Sequence, residues 1–168
     1  MKKDFSKIKL FAMDVDGTLT DGKIYIGNDG EVMKAFNAKD GLGIKLLIKK
    51  GIVPIIITGR RSKIVTRRCE EIGITVLYQG VRDKADILKN VMAKYDCTPE
   101  QTVYIGDDMN DLSAMQTAGI PFAPADCAAA LLPYVDFVLT QKSGDAPVRE
   151  AIDIILENRL TLSDYESI

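Results

Sequence analysis

Two acidic clusters carry most of the chemistry this chain could perform. The first is Asp14-Val15-Asp16-Gly17-Thr18, and the second is Gly106-Asp107-Asp108-Met109-Asn110-Asp111. Each follows a short apolar run. If Asp14 ends a strand and the chain turns at Gly17, the carboxyl groups of Asp14 and Asp16 can both face one crevice. Carboxylates crowded together raise one another's pKa, and a divalent cation relieves the repulsion. Mg²⁺ suits such a set, because it takes oxygen ligands, keeps several waters and accepts a few carboxylates plus a substrate phosphate. Two further pieces fit the same chemistry. Thr58-Gly59-Arg60 offers a hydroxyl and free backbone N–H groups after a second apolar run, a combination that holds phosphate oxygens. Lys84 opens a helical segment after a third run, where its ammonium can neutralise a phosphoryl group. Nucleophile, metal ligands, hydroxyl and cation are the parts of a phosphoryl-transfer site. Any one of them alone reads as an ordinary turn or surface residue; their order along the chain is what points to catalysis.

The elements that must position these residues alternate. Apolar runs at Ile8–Met13, Ile52–Ile57, Thr75–Tyr78, Thr102–Ile105 and Phe137–Leu139 read as strands. The second run shows no in/out alternation, as expected of a parallel strand covered on both faces. Amphipathic segments lie between them. Ser62 caps one that Gly73 ends, another spans Lys84–Tyr95, a third spans Asp111–Ala118 and is closed by Gly119, and the last spans Val148–Asn158. Thr98 with Gln101 resembles a capping box, but a strand begins at once, so a short turn is expected. The alternation predicts right-handed βαβ units in an α/β, Rossmann-like three-layer sandwich with a parallel sheet. Lys23–Phe36 breaks the pattern, with two strand-like arms around Gly27, Asn28, Asp29 and Gly30, and reads as a β-hairpin. It leaves the first strand where a βα loop belongs. Ligands of such sheets sit beyond the carboxyl ends of the strands, so the hairpin is placed to cover the site. One domain over residues 1–168, with a hairpin extension at about 20–37, accounts for the chain.

Composition narrows the field further. The 168 residues contain no histidine, which excludes a His base, a His-activated serine and a His-rich metal site. The net charge of −2 argues against a nucleic-acid partner, and no apolar stretch is long enough to cross a membrane. Cys69, Cys97 and Cys127 are scattered, with no CxxC spacing, as expected in a reducing cytoplasm. The N-terminal stretch lacks the apolar core of a signal peptide.

DxDGT, then TGR, then Lys, then GDDxxD resembles the haloacid dehalogenase superfamily of aspartyl-phosphate phosphatases. The stretches DVDGTLTDGKIYIGNDGEVMKAFNAKDGLGIK, IIITGRRSKIVTRRCEEIGI, LYQGVRDKADIL and GDDMNDL resemble its small, cap-less subgroup, typified by 3-deoxy-D-manno-octulosonate 8-phosphate phosphatase. The resemblance implies a tetramer with no cap domain that hydrolyses a sugar-acid phosphate in lipopolysaccharide precursor synthesis. It implies that Asp14 is the nucleophile and that Asp16 protonates the leaving sugar oxygen and later deprotonates water. It places Mg²⁺ on the Asp14 carboxylate, the Asp16 backbone carbonyl and Asp107, with Asp111 in support. Thr58 and Lys84, joined by Gly59 and Asn110, would hold the phosphoryl oxygens. The chain departs from the family in two places. Its tail reads SGDAPVRE where many members have GGxGxxRE, although Arg149 and Glu150 remain, and Thr18 stands where close relatives often carry Val.

The basic set Arg60, Arg61, Lys63, Arg67 and Arg68 follows the TGR turn. An Arg fork suits a substrate carboxylate, and Arg60 and Arg68 are the candidates. In the family resemblance Arg60 favours an eight-carbon acid over a nine-carbon one. Tyr25 and Phe36 on the hairpin suit either a subunit boundary or simple cross-strand pairing. A receiver-like phosphoacceptor module is the rival from another class. It needs an acceptor Asp at the end of the third strand, where this chain has Tyr78-Gln79-Gly80. A catalytically silent tetramerisation domain is the other rival, and the intact acidic set argues against it.

Overall fold

The computed structural model describes residues 3–166. Its main sheet has six parallel strands: β1 (Leu10–Met13), β4 (Val53–Thr58), β5 (Val76–Gln79), β6 (Thr102–Ile105), β7 (Ile120–Ala123) and β8 (Phe137–Val138), in spatial order β5-β4-β1-β6-β7-β8. A separate antiparallel ribbon pairs β2 (Tyr25–Gly27) with β3 (Gly30–Met33) across Asn28-Asp29. The helices are α1 (Ala38–Lys49), α2 (Lys63–Ile72), α3 (Lys84–Lys94), α4 (Leu112–Thr117), α5 (Pro147–Ile155) and the short α6 (Leu162–Tyr165).

Two apolar layers explain why the central strands are hydrophobic throughout. Phe11 and Met13 of β1, Ile56 of β4, and Val103 and Ile105 of β6 point into one layer with Ile44, Leu47, Val65, Ile72 and Ile152 of α1, α2 and α5. Leu10, Ala12, Ile55, Ile57 and Tyr104 point into the other with Leu88, Val91 and Met115 of α3 and α4. Side chains of a strand alternate between faces, so a strand covered on both sides must be apolar at every position. The three-layer sandwich is therefore as expected. From β1 the chain runs outward through β4 and β5, then returns to β6 on the other side of β1. That reversal opens a crevice at the carboxyl ends of β1 and β6, which is where both acidic clusters begin.

Several elements differ from the sequence reading. Helix α1 carries no helix signal in the pattern because Gly41 and Gly43 interrupt it, each costing about 1 kcal/mol relative to Ala. Packing explains both. A Cβ at Gly41 would lie 2.6 Å from Arg68 Nη2, and one at Gly43 would lie 3.0 Å from Arg149 Cδ and 3.1 Å from Ile152 Cδ1, so the glycines let α1 approach α2 and α5. Strand β7 is a short run interrupted by Pro121, a residue that argues against a strand. Gly119 does not close α4 as a left-handed cap; its N–H bonds the Pro99 carbonyl at 2.8 Å, and a Cβ there would meet that oxygen at 2.4 Å. Helix α5 starts one residue earlier than the expected Val148 and ends at Ile155, short of the expected Asn158. Pro99–Gln101 forms a single 3₁₀ turn closed by reciprocal Thr98 and Gln101 bonds. Ser62 and Gly73 bound α2 as expected, with Gly73 at φ +82°.

Candidate active site

Asp14 lies one residue beyond β1 and is buried, with its N–H bonded to the Ile105 carbonyl at 3.1 Å. Gly17, at φ +89°, turns the chain immediately after it. A Cβ at Gly17 would fall 2.1 Å from Asp107 Oδ2, so the two acidic loops can approach only because this residue has no side chain. The tail completes the enclosure. Ser143 Oγ donates to the Gly17 carbonyl, and the Gly144 N–H donates to the Thr18 carbonyl at 3.3 Å. The altered tail therefore still reaches the loop that follows β1. Thr18 is also absorbed, its hydroxyl lying 3.4 Å from Asp107 Oδ1.

Among the described residues, Asp14, Asp107 and Asp111 form one group, each offering a ligand oxygen within 4.8 Å of the others. Asp111 is the best satisfied. Its Oδ1 accepts from Lys84 Nζ at 2.7 Å and from the Tyr104 hydroxyl at 2.7 Å, and its Oδ2 accepts from the Asp107 N–H at 3.2 Å. With both oxygens engaged, it braces the site and leaves Asp14 and Asp107 as the open carboxylates. Lys84 Nζ also lies 3.1 Å from Asp14 Oδ1. Helix α3 brings it there because Asp83 caps the first turn.

Electrostatics follow from this crowding. Burial, reinforced by the charge of Asp111, pushes Asp14 up to about 6 against the pull of Lys84. Burial, with Asp111 and Asp14 adding to it, pushes Asp107 up to about 7. Burial works to lower the Lys84 pKa, but Asp14 and Asp111 together outweigh it and the net shift is upward. Burial, then the Asp111 charge, holds the Tyr104 hydroxyl well above its ordinary range, so it stays a donor. One ammonium against three carboxylates leaves negative charge uncompensated. Oxygen donors of this kind, two of them with raised pKa, fit a hard divalent cation.

The side chain of Asp16 does not join this group, although the carboxyl groups of Asp14 and Asp16 were expected to face one crevice. It turns to the hairpin, where Oδ1 meets Lys34 Nζ, while Oδ2 lies 3.8 Å from Arg60 Nε. Thr58 is buried at the end of β4, and Gly59 is exposed beside it. The turn is fastened to the exit of β5 by Val81 N–H to Thr58 O (3.1 Å) and Gly80 N–H to Arg60 O (3.2 Å). Asn110 is exposed on the turn preceding α4. Arg68 is engaged elsewhere: its guanidinium pairs with Glu71 at 3.0 Å, donates to the Asn37 carbonyl at 3.4 Å, and lies 5.7 Å from the Phe36 ring centre. The structure thus unites Asp14, Lys84, Asp107 and Asp111, sets Asp16 and Arg60 side by side, and commits Arg68 to the hairpin base. Sequence reasoning missed Tyr104, which looks like any strand residue, and Lys34 and Glu31, which look like solvated hairpin charges.

An acidic cluster around a buried lysine at the switch point of an open α/β sheet fits the haloacid dehalogenase-like hydrolases, whose family model matches residues 73–152. Closer relatives narrow this. A 3-deoxy-D-manno-octulosonate 8-phosphate phosphatase of Yersinia pestis is 46% identical over 151 residues, covering 90% of this chain and 81% of the relative. The cobalt-bound form of the Haemophilus influenzae phosphatase superposes with a TM-score of 0.91 at 36% identity, covering 96% and 98% of the two chains. The Moraxella catarrhalis phosphatase, solved with magnesium ion, phosphate ion and a KDO molecule, superposes with a TM-score of 0.88 at 40% identity, covering 91% and 88%. The chain belongs to the 3-deoxy-D-manno-octulosonate 8-phosphate phosphatase family.

Proposed function

We propose that this protein is a Mg²⁺-dependent phosphatase that hydrolyses 3-deoxy-D-manno-octulosonate 8-phosphate to the free sugar acid and phosphate, a step of lipopolysaccharide precursor synthesis. The observation that carries this reading is the meeting of Asp14, Asp107 and Asp111 around Lys84 at the end of β1. Asp14 and Asp107, with the Asp16 backbone carbonyl, would hold Mg²⁺, which when bound neutralises the carboxylates and the phosphoryl oxygens. In the first step an Asp14 oxygen attacks phosphorus. The bond from phosphorus to the sugar oxygen breaks, and that oxygen takes a proton from Asp16. In the second step water attacks the phospho-aspartate and gives a proton to Asp16. The bond from phosphorus to the Asp14 oxygen breaks, releasing phosphate and restoring the carboxylate. Lys84, Thr58, the Gly59 N–H and Asn110 hold the phosphoryl oxygens. Arg60 receives the substrate carboxylate, with Arg68 joining if the hairpin base rearranges.

Residues 1–168 act as one phosphatase domain in the cytoplasm, consistent with three free thiols; no described helix is long and apolar enough to cross a membrane. The working assembly is a homotetramer. Its support is the hairpin, which exposes Tyr25 (41%), Ile26 (73%), Val32 (60%) and Met33 (50%) on a ribbon that is marginal when isolated. A phosphate-release assay tests the function. The eight-carbon acid 8-phosphate should turn over faster than a nine-carbon acid 9-phosphate, chelation should abolish turnover and Mg²⁺ restore it. Asp14→Asn should fold and bind substrate without turnover. Near wild-type turnover by that variant would overturn the assignment of the nucleophile.

A further inference from the structure

Most of the hairpin faces solvent, but two of its charged side chains turn inward. The Lys34 side chain is 1% exposed, and its Nζ meets Asp16 Oδ1 and lies 3.0 Å from Glu31 Oε1. Glu31 in turn accepts from the Ser62 hydroxyl through Oε2. Ser62 is itself fixed: it caps α2 by accepting from the Val65 N–H at 3.3 Å, and its own N–H bonds Gln79 Oε1 at 2.6 Å. A relay therefore runs from the frame of the sheet, through Ser62 and Glu31, to an ammonium seated on one oxygen of Asp16. Burying an ammonium costs several kcal/mol unless it is well paired, so a hairpin needing only attachment would use apolar residues.

The two Asp16 oxygens are treated differently. Oδ1 is held by Lys34, whereas Oδ2 lies 3.8 Å from Arg60 Nε, which is too far for a hydrogen bond. One oxygen is fixed and the other is left for a proton transfer. We propose that Lys34 is the positioning residue of Asp16: anchored by Glu31, it fixes one carboxylate oxygen so that the other meets the sugar oxygen and, later, the water. This inference rests on the reading of Asp16 as the proton-transfer group. It makes the hairpin part of the proton-transfer machinery rather than only a cover. Misplacing a reacting group by about 1 Å costs on the order of 10²-fold in rate.

The test compares a sugar-acid phosphate, whose leaving oxygen needs a proton, with p-nitrophenyl phosphate, whose leaving oxygen does not. Lys34→Met should lower kcat for the sugar-acid phosphate about 100-fold while moving KM less than about 3-fold. With p-nitrophenyl phosphate it should keep a near wild-type burst of nitrophenolate, one per site, followed by slow turnover. Glu31→Gln should show the same split more weakly, and the double variant should be no worse than Lys34→Met. Lys34→Arg should recover part of kcat. Melting curves check folding; if Lys34→Met is unfolded, Glu31→Gln decides by the same two assays. A rise in KM at unchanged kcat, or equal loss of the burst and of sugar-acid turnover, overturns the inference. Asp16→Ala separates the two readings. If it keeps sugar-acid turnover, the role of Asp16 is wrong; if it loses turnover while Lys34→Met does not, only the role of Lys34 is wrong.

Discussion

Replacing Lys84 by Met removes the ammonium from the carboxylate cluster while keeping a side chain of similar length. Lys84 is 2% exposed, with Nζ 3.1 Å from Asp14 and 2.7 Å from Asp111. At an effective dielectric of about 20 these contacts carry gross attractions of about 5 and about 6 kcal/mol. The desolvation of the ammonium offsets much of that. Removing one partner from a buried ion pair costs about 3–5 kcal/mol, because the remaining charge stays buried without compensation. In a chain of this size each kcal/mol moves Tm by about 2–4 °C. Metal-free Lys84→Met should therefore melt about 6–20 °C below wild type. Mg²⁺ answers the same negative charge, so its stabilising effect should be larger in the variant, and titration calorimetry should show tighter Mg²⁺ binding. Turnover should still fall, since the phosphoryl group has lost its cation. Differential scanning calorimetry in chelator and in Mg²⁺ gives the comparison. A metal-free variant melting within about 2 °C of wild type would refute the view that this ammonium compensates the cluster.

Asp14 and Asp107 keep their protons up to about 6 and about 7 in the fold, against an ordinary value of 3.8. The folded chain therefore binds more protons than the unfolded one between these values, and metal-free stability should fall as pH rises from about 4 to 7. Melting in chelator at pH 5 and pH 8 checks the sign, and Mg²⁺ should flatten the fall. Asp40, raised to about 7 mainly by burial, contributes to the same slope, so Asp40→Asn should reduce it without touching the metal dependence. Gly17→Ala should destabilise by about 2 kcal/mol or more and weaken Mg²⁺ binding, since it combines a φ of +89° with a 2.1 Å approach to Asp107; calorimetry reads both. Ile26→Asp with Val32→Asp on the exposed hairpin face should dissociate the proposed tetramer, which sedimentation velocity detects.

Much of the architecture was legible because it rests on local rules. A strand covered on both faces must be apolar, so β1, β4 and β6 are readable from composition alone. Ser62 and Gly73 mark α2 because capping and left-handed termination are chemistry of single residues. The features that escaped depend on partners distant in sequence. Gly41 and Gly43 lower the helical signal of α1 for the sake of Arg68, Arg149 and Ile152, which the local pattern does not contain. Pro121 hides β7. The acidic residues of the site were readable from their order after successive strands, and the family resemblance implied a role for each, but the direction in which each carboxylate turns was not readable. Asp16 sits two residues from Asp14, and only the fold turns its carboxylate toward Lys34. Tyr104 is a phenol on a buried strand, and nothing in its neighbours reveals that it donates to Asp111.

The bonds from Ser143 and Gly144 to the carbonyls of Gly17 and Thr18 have a consequence for the order of folding. The loop that holds Asp14 is synthesised early, yet its bracing partners Asp107, Ser143 and Gly144 come from the later part of the chain, with the Ser143 contact spanning 126 positions. Closing so long an interval is entropically expensive and slow compared with forming a helix or a hairpin. A growing chain would lay down β1, the hairpin and β4 well before the acidic loop could be locked in place. Phosphatase activity should thus appear only after β6 and the tail have docked, which makes turnover a reporter of complete assembly of the domain rather than of its first half.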